Sequence, residues 1–176
     1  IEFPASFMLV AAMNPCPCGY YNHPTQECTC QPGTVEKYLN RISGPLLDRI
    51  DLHIEVVPVP FEELSKKSAG EKSSAVRARV TRARQIQTER FADIPGMHSN
   101  SQMNSKMIQK YCTLNDECSN LLKDAMDKLD LSARAHDRIL KMARTIADLD
   151  NSLDIKKEHL AEAIQYRSLD RANWGK

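Results

Sequence analysis

Four of the six cysteines lie within a fifteen-residue stretch, and this cluster carries the clearest chemistry in the sequence. Cys16 and Cys18 form one C-x-C pair and Cys28 and Cys30 form a second, with His23 between them. Four thiolates satisfy the tetrahedral coordination of zinc, and the intervening loop is long enough to bring the two pairs together. The cluster of four thiols therefore favours a structural zinc site. The two cysteines of each pair are separated by one residue instead of the usual two to four, which weakens this signal, so free thiols packed in a loop, and disulfides or redox work, remain open alternatives.

A polar residue follows a continuous apolar run near the start of the chain. The run extends from Phe7 to Met13 and is followed by Asn14 and Pro15. Such a run predicts a strand buried on both faces of a parallel sheet. Ligands of open α/β sheets gather at the carboxyl ends of strands, where the Asn14 amide could hold a water molecule or a phosphate oxygen. The alternative is that Asn14 only starts a turn before Pro15.

Arg49 precedes a second predicted strand and is flanked by two acidic residues. A local salt bridge to Asp48 or Asp51 is the ordinary explanation for an arginine in this position. The alternative is that the guanidinium of Arg49 projects toward an anion bound by another subunit. The pattern alone leaves both interpretations open.

Arg134 is expected at the second position of a helix whose natural N-cap is Ser132. A cation there opposes the helix dipole at a cost of roughly 0.3 to 1 kcal/mol. Asp130 or Asp137 could offset that cost. A phosphate bound at the start of the helix would also offset it and would give Arg134 a function.

A further predicted helix is rich in arginine and could contact a nucleic-acid backbone. The residues concerned are Arg77, Arg79, Arg82, Arg84 and Arg90. A run of this kind is more often a solvated helix face, and both interpretations stay open.

The elements that must position these residues divide into an incomplete α/β part and an all-helical part. Alternating apolar residues over 50–56 predict a second strand, and the Lys-rich stretch 65–74 predicts a linker. Helical spacing of apolar residues, including a stripe of Ala135, Ile139, Ala143 and Ile146, predicts helices near 35–41, 73–92, 104–112, 115–129, 132–149 and 155–167. We therefore expect residues 1–66 to form the end of an α/β core with a Cys-rich loop at 16–30, and 67–176 to form a helical domain. Cys112 and Cys118 fall in the helical part and are expected to be buried as small hydrophobic residues.

Composition excludes several classes of protein. The 176 residues are 41% hydrophobic and 27% charged with a net charge of +1, which is typical of a folded domain and excludes function through bulk positive charge. No apolar run is long enough to span a membrane. The first residues lack an initiator Met and a signal peptide, so we expect a piece of a longer protein and a reducing, cytoplasmic compartment.

A complete nucleotide-triphosphate site is missing. The stretch Gly70-Glu71-Lys72-Ser73 lacks the upstream glycine and the Gly-Lys dipeptide of a phosphate-binding loop. No predicted strand ends in the Asp-Glu pair that would hold magnesium. We therefore expect this chain alone not to hydrolyse nucleotide.

Several long ungapped strings resemble the magnesium-chelatase-like AAA+ ATPases of the bacterial ComM/YifB family. They cover 11–19 with Cys28-Thr29-Cys30, 41–52, 131–134, 138–140, 143–149 and 159–167, whereas 66–110 carries little of the likeness. The resemblance implies the C-terminal strands of a parallel AAA+ sheet followed by a helical lid. It also implies that a protease-like domain, a phosphate loop and magnesium-binding acids precede residue 1.

The same resemblance implies a role for three residues. Asn14 matches sensor 1, which positions the attacking water near the γ-phosphate. Arg49 matches the arginine finger, supplied to the nucleotide of a neighbouring subunit, and Arg134 matches sensor 2 in the lid. Family members are similar to hexameric ring motors, and one type migrates branched DNA. The resemblance therefore implies ATP with Mg²⁺ as the substrate. It also implies DNA and further copies of the chain as partners.

Two other functions compete with the DNA motor. A subunit of a true magnesium chelatase would use the same ATPase core to insert magnesium into a porphyrin. A free-standing zinc module with a helical bundle would bind DNA or protein by itself. The cysteine loop and the string Arg41-Ile42-Ser43-Gly44-Pro45 favour the ComM/YifB branch.

Overall fold

The computed structural model describes residues 1, 5, 7–56, 58–59 and 70–167. Contacts between residues divide the chain into two compact units, one formed by residues 1–42 and the other beginning at Ser43. The two units are described separately below.

The first unit contains an extended apolar segment, the cysteine loop and one short helix. Helix α1 spans Thr34–Leu39 and confirms the helix predicted near 35–41, although it ends two residues earlier. It follows Gly33, whose φ of 77° lies in the left-handed region that glycine adopts without strain. Leu39 is buried.

Both predicted strands are wrong for the residues that the structure describes. Residues 7–14 and 50–56 have no strand pairing, and side chains in both segments are exposed: 78% for Phe7, 81% for Val10, 66% for Ile54 and 86% for Val56. An extended segment becomes a strand only when a neighbour accepts and donates its backbone hydrogen bonds. The described residues supply no such neighbour, so the expected α/β part with the strands of a parallel AAA+ sheet is not formed here.

The second unit is helical, as predicted for the later part of the chain. Its helices are α2 (Gly44–Leu47), α3 (Ser73–Arg90), α4 (Ser105–Tyr111), α5 (Asp116–Lys128), α6 (Ala133–Leu149) and α7 (Lys157–Gln165), with a 3₁₀ turn at Asn100–Gln102. Helices α3 to α7 each lie within about two residues of a predicted boundary, a difference typical of helix ends. The first half of the predicted linker 65–74 lies outside the described residues, and α3 already begins at Ser73.

Helix α6 is the central element of this unit. The Ser132 hydroxyl accepts a hydrogen bond from the Ala135 backbone at 3.2 Å, which confirms the predicted N-cap. Ala135, Ile139 and Ala143 of the predicted apolar stripe are almost fully buried. Helix α6 packs against α3, α4 and α7, so it connects the parts of the bundle.

One hydrophobic cluster fills this bundle. It comprises Phe91, Met97, Met103, Ile108, Cys112, Cys118, Leu122, Ile139, Leu140, Ala143, Ala147, Ile155, Leu160 and Ala163. The exposed fractions of Cys112 and Cys118 are 4% and 1%, which confirms that both are buried as small hydrophobic residues. Burial raises the pKa of the Cys112 thiol to about 11, so this residue stays protonated at neutral pH.

Within the described residues, no helix combines the length and apolar character needed to cross a membrane.

Candidate functional site

The four clustered cysteines converge in the first unit. Their sulfur atoms all lie within 4.8 Å of one another. The Cys16 Sγ lies 3.3 Å from the Cys18 Sγ and 3.8 Å from the Cys28 Sγ, and the last two are 3.5 Å apart. The two C-x-C pairs are therefore brought together by the loop, and this donor set has the chemistry to hold a metal ion.

A tight turn and backbone amides organise the cluster. The Gly19 amide donates to the Cys16 carbonyl at 3.1 Å, and Gly19 has a φ of 85°, a left-handed value that favours glycine. Cys16 is fully buried, whereas the other three cysteines are partly exposed.

His23 is not part of this donor set. Its Nδ1 accepts hydrogen bonds from the backbone amides of Thr25 and Gln26 at 3.2 and 3.1 Å, and its ring contacts Tyr20 edge-on. The histidine therefore shapes the loop between the two cysteine pairs.

The thiols of the cluster differ in acidity. Hydrogen bonding from the Tyr20 backbone is the largest influence on Cys18 and, against the cost of desolvation, it lowers the pKa of this thiol to about 5. At Cys30 a hydrogen bond from the Cys18 backbone favours the thiolate, but desolvation and the neighbouring thiols of Cys18 and Cys28 outweigh it and raise the pKa to about 12. The cluster therefore carries only part of its possible negative charge at neutral pH, and a bound cation would favour further ionisation.

Asn14 lies two residues before this cluster. It is exposed and follows the extended segment 7–13, so it does not lie at the end of a formed strand as the sequence predicts. Its backbone leads directly into the turn at Pro15 and Cys16.

Arg49 lies in the second unit, directly after α2, and is exposed. Its guanidinium donates to the Pro45 carbonyl at 2.7 Å. Of the two acids that could have formed a local salt bridge with it, Asp51 instead pairs with Arg138 of α6. The described structure thus leaves most of the Arg49 hydrogen-bonding capacity directed to solvent.

Arg134 occupies the second position of α6 and is exposed, as expected. Asp137, one of the two predicted partners, contacts the His136 ring at 3.1 Å. Among the described residues Arg134 has neither a hydrogen bond nor an ion pair through its side chain. The electrostatic cost of placing the Arg134 cation at the positive end of the α6 dipole is therefore not offset by a carboxylate among the described residues.

The segment that carries Arg49 is anchored to the end of the bundle. Arg138 pairs with Asp51, the Arg167 guanidinium donates to the Ile50 carbonyl, and the His53 amide donates to the Tyr166 carbonyl at 2.9 Å. Desolvation, followed by the charge of Arg167, lowers the pKa of Arg138. Sequence reasoning missed this anchor, although Arg138 lies one helical turn after Arg134 and thus on the same face of α6.

The arginine-rich helix α3 has two different ends. Arg77, Arg82 and Arg84 are exposed, and Arg79 pairs with Glu71 at 2.7 Å. Arg90, which the sequence groups with them, has a side chain only 13% exposed. Arg90 is therefore a structural residue, and only the earlier arginines remain available to a nucleic-acid backbone.

Arg90 belongs to a buried polar network centred on Asp148 of α6. The Asp148 carboxylate, which is fully buried, accepts from Arg90 at 2.7 and 2.5 Å, from Asn100 at 2.8 Å and from Arg144 at 3.1 Å. Arg144 also donates to the carbonyls of Ser152 and Leu153, both at 2.6 Å. The network fixes α3, the 3₁₀ turn and the loop after α6 around one carboxylate.

Two family models match this chain over most of its length. The model described as magnesium chelatase, subunit ChlI, matches residues 1–64, and the model of the ChlI C-terminal region matches residues 70–167. The gap between the two matches, residues 65–69, lies within the predicted linker 65–74.

Individual proteins are also similar. The competence protein ComM of Haemophilus influenzae is 47% identical over 97% of this chain. The YifB proteins of Escherichia coli and Salmonella typhimurium, both described as uncharacterised, are 44% and 42% identical over the same share. The matched region is 32% to 33% of these relatives, so the chain spans about a third of their length.

Proposed function

The chain belongs to the family of the magnesium chelatase subunit ChlI, together with its ComM and YifB relatives, and from this membership we propose that it contributes the sensor and finger residues and the lid of a ring-forming AAA+ ATPase that remodels DNA. The observation that carries the proposal is the state of Arg49 and Arg134. Both are exposed guanidiniums, and within the described residues neither is neutralised by a carboxylate. Two such cations are suited to contact phosphate.

The chemistry of phosphoryl transfer explains how three residues of this chain would act. The transition state carries charge on the transferred phosphoryl oxygens, so catalysis depends on positioning and on electrostatic stabilisation. We assign Asn14 to positioning the attacking water, Arg134 to contacting the γ-phosphate within its own subunit, and Arg49 to stabilising the charge on the nucleotide of a neighbouring subunit. Hydrolysis would then require an assembled ring, with six subunits as the resemblance implies.

ATP and Mg²⁺ would be held mainly by parts of the protein outside this chain. The exposed side chains of Asn14, Arg49 and Arg134 fit the terminal phosphate, since an amide and two guanidiniums supply hydrogen-bond donors to an anion. The sequence has no complete phosphate-binding loop and no Asp-Glu pair after a predicted strand. Mg²⁺ would neutralise the developing charge between the β- and γ-phosphates.

The exposed extended segments support the same view of a shared domain. Residues 7–13 are apolar, residues 50–56 alternate apolar with polar side chains, and neither segment pairs with another strand among the described residues. We propose that both segments pair with strands from another part of the protein, since the relatives are about three times as long as this chain. Pairing would bury the apolar side chains and place Asn14 at the edge of a sheet, where ligands of open α/β sheets bind.

DNA is the proposed object of the motor. The name of the ComM relative connects that protein with competence, and the exposed arginines of α3 are chemically suited to a phosphodiester backbone. A branch-migration activity would use ATP-driven rearrangement of the ring to move paired strands.

The assembly requirement makes a first prediction. For the protein at its natural length, ATP turnover per subunit should rise with protein concentration and reach a plateau as rings form, because each site lacks the finger until a neighbour binds. To check this, turnover per subunit and the assembly state by sedimentation are measured at the same concentrations, over a range of about 100-fold. Branched DNA should stimulate turnover more than an equal mass of unbranched duplex. Constant turnover down to the monomer would contradict a site shared between subunits.

Arg134 gives a second prediction. Arg134→Ala should leave stability unchanged or raise it by about 0.3 to 1 kcal/mol, because it removes a cation from the positive end of a helix dipole. The same change should lower ATP affinity or turnover at least about tenfold, because it removes a charge-assisted contact to phosphate. Arg82→Ala, an exposed arginine of α3, is the matched control when both variants are measured without DNA. Equal ATPase parameters for the two variants would remove Arg134 from the site.

A further inference from the structure

We propose that Cys16, Cys18, Cys28 and Cys30 bind one structural zinc ion, which fastens the loop that follows Asn14. The site goes beyond the proposed ATPase and does not depend on it. The metal would act as a cross-link between the two ends of the loop and would take no part in phosphoryl transfer.

Sulfur distances support a single tetrahedral ion. A Zn–S bond of about 2.3 Å places the corners of a regular tetrahedron about 3.8 Å apart. The three distances among Cys16, Cys18 and Cys28 are 3.3, 3.8 and 3.5 Å, and all four sulfurs lie within 4.8 Å of one another. A disulfide requires about 2.05 Å, so these sulfurs are not paired as disulfides.

Hydrophobic packing does not account for the convergence. Cys16 is fully buried, but the other three cysteines of the cluster are only partly buried. The helical unit provides an internal comparison, since Cys112 and Cys118 lie separately among apolar side chains. Thiols buried as small hydrophobic residues are thus scattered in this protein, whereas the clustered thiols face one another.

The surroundings of the sulfurs are those of a metal site. The Gly19 amide closes a tight turn by donating to the Cys16 carbonyl at 3.1 Å, and this turn holds Cys16 and Cys18 next to each other. A short turn between two ligands fixes their relative position before the metal binds. Zinc is preferred over an iron–sulfur cluster because the four sulfurs enclose the volume of one ion, whereas a cluster places several iron atoms between its ligands.

The loop also needs a cross-link. Residues 15–32 contain no helix or strand, and their two cysteine pairs are separated by a mostly exposed segment at 20–27. A small unit with few buried apolar side chains commonly depends on a metal or disulfide for stability. Zinc bound by four thiolates would supply that stability and hold the backbone that leads from Asn14 into Cys16.

Metal content of the natural-length protein tests the proposal. Protein purified under reducing conditions without chelator should contain about one zinc per chain by elemental analysis. Cys16→Ser with Cys28→Ser should reduce zinc affinity more than about 100-fold, since even outer partners of a metal site are worth about 10- to 100-fold. Cys112→Ala with Cys118→Ala is the matched control and should retain the metal.

A second measurement does not depend on how the variants fold. Cobalt(II) added to metal-depleted wild-type protein should give the intense visible and near-ultraviolet bands of tetrahedral thiolate coordination, and zinc should displace it. Either of two results would overturn the proposal: four freely reacting thiols at Cys16, Cys18, Cys28 and Cys30 with no metal bound after zinc addition, or iron at equal stoichiometry in place of zinc.

Discussion

Replacing Arg49 by alanine should reduce ATP turnover of the assembled ring by about 10³- to 10⁵-fold, the range measured for arginine fingers. Nucleotide binding should change little, because the proposed finger would contact the transition state in a neighbouring subunit. The structure supports a small effect on folding, since Arg49 is exposed and its side chain donates to one backbone carbonyl, that of Pro45. Single-turnover hydrolysis and equilibrium nucleotide binding measure the two effects. Arg77→Ala, an exposed arginine of α3, should retain full turnover when it is measured without DNA.

A mixing experiment separates a finger from a residue that acts within its own subunit. Rings of Arg49→Ala alone and rings of Asn14→Ala alone should both be inactive. In rings assembled from equal amounts of both variants, about one quarter of the sites should combine an intact Asn14 with an intact Arg49 from the next subunit, and turnover should recover accordingly. Mixed rings as inactive as their parents would contradict a site shared across an interface.

Replacing Asp148 by alanine should destabilise the helical unit by about 3 to 5 kcal/mol, because it leaves two buried guanidiniums without their counter-charge. The Asp148 carboxylate is fully buried and accepts hydrogen bonds from Arg90, Asn100 and Arg144. The free energy of unfolding from a denaturant titration measures the loss. Asp124→Ala, at an exposed position of α5, should change it by less than about 0.5 kcal/mol.

A compensating variant tests the cause of that loss. Replacing Asp148, Arg90 and Arg144 together by apolar residues of similar volume should recover much of the stability, since the penalty arises from unpaired charge rather than from the missing bonds alone. A triple variant no more stable than Asp148→Ala would show that the network contributes through its directional hydrogen bonds.

The helices could be predicted from sequence because their signals are local. Ser132 satisfies amides within its own first turn, and the stripe Ala135, Ile139 and Ala143 reflects the period of the helix it belongs to. The convergence of the two cysteine pairs could also be expected, since a short loop joins them. The metal itself and the roles of Asn14, Arg49 and Arg134 remain predictions.

The features that sequence reasoning got wrong depend on partners distant in the chain. The run 7–13 has the composition of a buried strand, but a strand forms only beside another one, and the described residues contain none that pairs with it. Arg90 was grouped with solvent-facing arginines, yet its partner Asp148 lies 58 positions later. The ion pair between Asp51 and Arg138 likewise joins positions 87 apart. No local pattern of residue types encodes such pairings.

The anchor between residues 50–53 and the bundle would affect the order in which the subunits of the proposed ring hydrolyse ATP. Arg138, which pairs with Asp51, follows Arg134 by one turn of helix α6. Because Arg49 lies two residues before Asp51, Arg49 and Arg134 are expected to move together with this helix. If Arg134 contacts the nucleotide of its own subunit while Arg49 contacts the nucleotide of the next subunit, a tilt of α6 on hydrolysis would shift Arg49 at that neighbouring site. Neighbouring subunits would then hydrolyse ATP in succession rather than independently, and the coupling would run through the ion pair of Arg138 with Asp51 and the backbone contacts beside it.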